Sequence, residues 1–129
     1  MHLLAANRGW QAPLRNQIIA RNNDTLSYDQ LDSVPLIDRT LSDVSRVYPP
    51  VLGVMRRSIK LCEIAGHQVA AYTLVQVSIL VNHYWEQYRH DPFVFDSLRF
   101  AEGRQAHKQQ PYLWAPFGGG SQVHRAAFS

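Results

Sequence analysis

The stretch Pro116-Phe117-Gly118-Gly119-Gly120-Ser121-Gln122-Val123-His124-Arg125-Ala126 carries the most information in this chain. Three consecutive glycines make a turn-like run, because glycine reaches backbone conformations closed to other residues. No Gly-Lys-Ser/Thr follows, so the run is not a phosphate-cradling Walker loop. Its one side chain able to bind a transition metal strongly is the imidazole of His124.

Working back from this loop, two further motifs stand in order. Phe95-Asp96-Ser97-Leu98-Arg99-Phe100 lies in an aromatic, Pro-containing region that begins near Asn82 and shows no periodicity. Asp43-Val44-Ser45-Arg46, followed by Tyr48-Pro49-Pro50, lies on a predicted helix. In that helix Ser33 is a candidate cap and Pro35 suits the first turn. Ile37, Leu41, Val44 and Tyr48 form its expected apolar stripe, and Pro49-Pro50 stops it. Asp43 and Arg46 are three residues apart and share one helix face. The planar fork of Arg99 is suited to gripping a carboxylate.

The rest of the chain reads as follows. A helix is expected over 7–22, capped by Asn7, with Trp10, Leu14 and Ile18 on one face. Ser27-Tyr28-Asp29-Gln30 fits the start of a short second helix. Strands are expected at about 57–64, 67–70 and 73–78, with a turn at Ala65-Gly66. The fold class is therefore α+β: helices, then a small antiparallel sheet, then an irregular segment and a loop.

Composition bounds the function. The chain has 129 residues, 46% hydrophobic and 18% charged, which suits a globular domain. Net charge is +3, yet no block of like charge occurs, which disfavours nucleic-acid binding. The longest apolar stretch, Val69 to Val81, is interrupted by Thr73, Gln76 and Ser78 and is too short to cross a bilayer. No signal-peptide pattern is visible. Cys62 is the single cysteine, so no intrachain disulfide or cysteine-rich metal site can form, and a reducing, cytoplasmic compartment is expected. Cys62 is expected to be a buried, inert thiol. His2, His67, His83, His90 and His107 show no metal-ligand spacing, and surface or loop roles are expected for them. Tyr84, Trp85 and Tyr88 are expected to cover a core.

Taken together, the three motifs resemble the C-terminal part of a cytochrome P450. Asp43–Arg46 resembles the Glu-x-x-Arg of that family's K helix. Phe95–Phe100 resembles its Pro-x-Arg-Phe motif, with Ser97 in place of the proline. Residues 117–126 resemble the haem loop Phe-x-x-Gly-x-x-x-Cys-x-Gly. Phe117 and Gly120 are in register, while His124 stands at the cysteine and Ala126 at the last glycine. The stretch Arg56 to Val77 resembles the sheet after the K helix, with Ala70-Ala71-Tyr72 replacing a Pro-x-Gly-like turn. Trp10-Gln11 with Leu14-Arg15 resembles the J helix. The resemblance spans residues 1–129 as one partial domain.

The resemblance implies a haem-dependent monooxygenase as the parent activity, with electrons from a redox partner (ferredoxin or flavoprotein reductase). It implies a structural triad of Asp43, Arg46 and Arg99. It implies haem contacts at Phe117 and Gly120, a propionate contact at Arg56 and another at Gln122, and the metal-ligand position at His124. Arg56 reads equally well as an edge-strand arginine in solvent. A thiolate pushes electron density onto iron, whereas a neutral imidazole does not. The chain also shows no stretch resembling the family's oxygen-activating helix. It is therefore expected not to hold haem and to be inactive alone, with no catalytic residue assigned. A His124-ligated haem carrier or weak peroxidase, and a cofactor-free basic interaction module, are the alternatives.

Overall fold

The computed structural model describes residues 2–20, 33–104, 108, 110 and 112–119. The short helix expected at 27–30 lies outside them. The N-terminal helical region is broken rather than continuous. It comprises α1 (His2–Ala6), a 3-10 turn (Arg8–Trp10) and α2 (Gln11–Ile19). Asn7 does not cap by its side chain; its Nδ2 donates to the Leu3 carbonyl at 2.9 Å.

α3 (Pro35–Val47) is the central element. Pro35 opens it with a preset φ. Asp38 in the first turn and Arg46 in the last complement the helix dipole. Its end falls where Pro49 and Pro50 offer no N–H to continue the ladder. The expected stripe is wrong by one position. Leu36, Thr40, Asp43 and Val47 face inward, whereas Leu41 and Tyr48 are 56% and 60% exposed. Polar partners decide the face: Thr40 Oγ1 and Ser97 Oγ lie 3.2 Å apart, both buried.

The strand expected at 57–64 is confined to 62–64, and a further strand at 53–57 was not expected. β1 (Gly53–Arg57) pairs antiparallel with β4 (Leu74–Ser78), and β2 (Cys62–Ile64) with β3 (His67–Val69). The two pairs are separate two-stranded sheets. The β2–β3 hairpin turns at Ala65-Gly66 as expected, with φ of 49° and 81°. Positive φ at both positions is the type I′ geometry that matches strand twist. Ser58 stitches the junction between the sheets. Its Oγ donates to Ala70 O at 2.6 Å and accepts from Thr73 N at 2.9 Å, and its carbonyl accepts from Tyr72 N at 2.7 Å. Tyr72 itself adopts φ 63°, a strained value for a residue with a bulky side chain.

After β4 the chain enters α4 (Ile79–Tyr84) and later a 3-10 helix (Ser97–Phe100). Asp96 caps the latter, its Oδ1 accepting from Leu98 N at 3.0 Å. Val34, Leu36, Val47, Ile79, Phe95, Phe100 and Leu113 form the apolar core. Trp10 meets Phe95 edge-on at 6.1 Å, and Trp114 meets Phe100 at 5.6 Å. No described helix is long and apolar enough to cross a membrane. The observed class is α+β, as expected.

Candidate functional site: a buried arginine cluster and a glycine loop

The Asp43–Arg46 pair forms as its spacing predicts. Arg46 Nε donates to Asp43 Oδ1 at 2.5 Å, and both side chains are fully buried. The two remaining arms of Arg46 reach the Pro92 and Val94 carbonyls. Asp43 Oδ2 accepts from the Asp96 backbone N–H at 2.6 Å. Helix α3 thereby holds the 92–96 backbone from both ends of one ion pair.

Arg99 joins this cluster differently from the expectation. Its fork grips carbonyls and not the Asp43 carboxylate. Nη1 donates to His90 O at 2.5 Å and Nη2 to Asp91 O at 2.5 Å. The arginine fork finds its acceptors instead in the His90 and Asp91 carbonyls, while Arg46 Nε and the Asp96 N–H donate to the two Asp43 oxygens. Burial, and then the charge of Arg46, lower the Arg99 pKa. Its Nε has no hydrogen-bond partner among the described residues.

A third arginine, Arg89, was not singled out by the sequence. It is 3% exposed, and its Nη2 donates to Leu113 O at 2.6 Å. Its Nε and Nη1 have no partner among the described residues. Burial, then the charges of Arg46 and Arg99, push its pKa down to about 10.

The histidine expectation needs one correction. His83 is fully buried, not at the surface. Its Nδ1 lies 3.1 Å from Arg46 O, and its Nε2 accepts from Ala115 N at 3.1 Å. Burial first, then the charges of Arg89 and Arg46, lower its pKa to about 4, against an opposing contribution from the Arg46 carbonyl. Beside it, Tyr84 Oη donates to Val47 O at 2.5 Å. His67 is exposed on β3, and His90 is exposed beside Asp91 at 2.5 Å. His107 lies outside the described residues. Cys62 is half-buried rather than buried. Tyr84 stacks on Phe93 at 4.9 Å, and Trp85 meets Tyr88 edge-on at 5.5 Å. Trp85 and Phe93 remain 48% and 69% exposed, so this aromatic group flanks an open groove and does not cover a core.

The glycine loop is tied to α3 at its start. Trp114 Nε1 donates to Ser42 O at 3.1 Å, and Val51 N donates to Pro116 O at 3.3 Å. Gly118 sits at φ 86°, and a Cβ there would meet Val54 Cγ1 at 3.1 Å. Gly119 lies against the Tyr112 ring, which a Cβ would approach to 2.4 Å. Phe117 is half-buried. Gly120, Gln122 and His124 lie outside the described residues. Arg56 is exposed on β1, and its Nη1 donates to the Met55 carbonyl at 2.9 Å. It lines a pocket of about 280 Å³ with Val54, Val77, Asn82, Tyr112 and Gly118. The fold thus brings Arg56 and the glycine loop together. It assembles Asp43, Arg46 and Arg99 around the 90–96 backbone. Among the described residues no group of three or more His, Cys, Asp or Glu could hold a metal ion.

Comparison with known proteins accounts for this arrangement. The cytochrome P450 family model matches residues 1–123, stopping at the residue before His124. A Mycobacterium tuberculosis protein designated cytochrome P450 136 is 31% identical over 122 residues, covering 95% of this chain and 24% of that protein. Thromboxane-A synthase of Sus scrofa is 30% identical over 122 residues, covering 92% and 23%. The solved structure of retinoic acid bound cyanobacterial CYP120A1 superposes with a TM-score of 0.83 at 30% identity, covering 92% of this chain and 27% of that one. The chain thus spans about a quarter of the length of the relatives it matches. With ordered motifs, a matching fold and relatives of this similarity, the chain belongs to the cytochrome P450 family, whose members are haem-iron monooxygenases.

Proposed function

We propose that this chain is the haem-loop portion of a P450 fold and does not itself insert oxygen into a substrate. The parent reaction is haem-dependent monooxygenation, fed by a ferredoxin or flavoprotein reductase in a reducing, cytoplasmic compartment. In this reading Asp43, Arg46 and Arg99 are structural. Arg56, Phe117, Gly120 and Gln122 occupy haem-contact positions, and His124 occupies the ligand position.

The observation that carries the proposal is a mismatch between the residues present and the cofactor. The position resembling the ligand offers imidazole in place of thiolate, which removes the electron donation that favours O–O cleavage. The ligand position therefore does not fit the thiolate-bound haem of the family, and no catalytic step is assigned to these residues.

Titration of the purified chain with haemin tests this. The expected result is no stoichiometric change in the visible absorption, and no thiolate-type band in the ferrous–CO spectrum. Saturable one-to-one binding with a histidine-type band, lost in His124→Ala, would establish the haem-carrier alternative. Clean monomeric folding with salt-sensitive capture of a partner would favour the interaction module.

A further inference from the structure

Two of the buried arginines, Arg46 and Arg89, and the glycine loop share one neighbour, His83. Arg46 lies in the last turn of α3, where backbone carbonyls lack helical partners. Two such carbonyls are satisfied from α4: Arg46 O accepts from the His83 ring and Val47 O from Tyr84 Oη, while Val44 O keeps its helical partner, Tyr48 N. Helix α4 therefore caps α3 with two consecutive side chains. The other edge of the His83 ring meets the Ala115 N–H, one residue before Pro116-Phe117.

These partners fix the proton. A carbonyl only accepts, so His83 Nδ1 must carry hydrogen. A backbone N–H only donates, so His83 Nε2 must be bare. One neutral tautomer satisfies both bonds, and no other protonation state does. An imidazolium would set an Nε2–H against the Ala115 N–H, donor facing donor.

We propose that His83 is a positioning residue: its Nδ1-protonated neutral ring fixes the start of the glycine loop to the carboxyl end of α3, and protonation of the ring breaks the tie at Ala115 while leaving α3 folded and the Trp114–Ser42 bond in place. This inference is independent of whether the chain binds haem.

The surroundings support it. The charged groups facing the ring are Arg46 from α3 and Arg89 from the segment after α4, and both oppose a further positive charge. The nearby carboxylate, Asp43, is committed to Arg46. Leu113 to Gly119 include no titratable side chain, and on α4 itself the neighbour is Tyr84. The folded-state pKa of about 4 lies below the ordinary 6.5. A base whose pKa falls on folding prefers the neutral form in the native state. Its contribution is complete above pH 6.5 and is lost as pH falls from 6.5 through about 4.

Nuclear magnetic resonance on the intact, isotope-labelled chain tests the proposal with two readouts. Long-range proton–nitrogen correlation of the His83 ring is expected to show the Nδ1–H tautomer at pH 7. Amide exchange at Ala115, corrected for its intrinsic pH dependence, is expected to accelerate on the order of tenfold between pH 6.5 and 4. The Tyr48 amide, bonded within α3, is expected to keep its protection. His83→Asn retains a donor near Nδ1 but has no atom at Nε2, so at neutral pH it should reproduce the acid behaviour at Ala115 alone. An Nε2–H tautomer, Ala115 protection indifferent to acid, or simultaneous loss at Ala115 and Tyr48 would each overturn the proposal. The wild-type titration decides the matter even if the variant fails to fold.

Discussion

Asp43→Ala is expected to destabilise the chain by about 3–5 kcal/mol, because it strands a buried guanidinium. Arg46 is fully buried, and Asp43 is its one carboxylate contact among the described residues. Without it the Arg46 cation keeps only the Pro92 and Val94 carbonyls, which are neutral dipoles. The half-buried Asp96 N–H loses its acceptor in the same change. The urea midpoint followed by near-ultraviolet circular dichroism reads the effect. Asp43→Asn keeps an acceptor oxygen but no charge, so it should fall between wild type and Asp43→Ala. The double variant Asp43→Ala/Arg46→Met should be less harmful than Asp43→Ala alone, since removing both charges leaves nothing stranded. A midpoint for Asp43→Ala indistinguishable from wild type would refute the structural role of the pair.

Arg89→Met should act in the opposite direction and raise stability by about 1–3 kcal/mol. Among the described residues Arg89 is buried without a carboxylate contact, and two of its nitrogens have no partner. Methionine matches much of its length and flexes to fill irregular space. The substitution gives up one hydrogen bond, to Leu113 O, worth about 1 kcal/mol or somewhat more. Against that, it removes the desolvation of a cation and its repulsion of Arg46 and Arg99. A second readout follows from the same charges. The His83 pKa should rise in Arg89→Met, because Arg89 is one of the two cations that hold it down. A lower urea midpoint with an unmoved His83 titration would contradict this account of the cluster.

What the sequence could disclose depended on whether the deciding interaction leaves a pattern. Pro35 and the Pro49-Pro50 pair bracket α3 by backbone chemistry alone, and the helix lies where they put it. Its inward face was misread because two stripes compete one residue apart. The apolar one, through Leu41 and Tyr48, faces out, and the one with polar partners faces in. The Asp43–Arg46 pair was legible because three-residue spacing brings side chains together on any helix. The acceptors of Arg99 were not, since backbone carbonyls occur at every position and mark none. Ala65-Gly66 announced its hairpin through local turn chemistry. α4 spans six residues, too few for a periodic signal, so His83 on it looked like any loop histidine. Arg89 left no trace at all, since nothing in its neighbours in sequence predicts its burial.

The buried positions described above include seven polar or charged side chains beside a small apolar core. That ratio governs how the molecule responds to temperature. Hydrating apolar surface on unfolding raises the heat capacity, whereas hydrating polar surface lowers it. Here the second contribution offsets part of the first, so the heat-capacity change on unfolding is expected to be smaller than for an all-apolar core of the same size, and the stability curve correspondingly flatter.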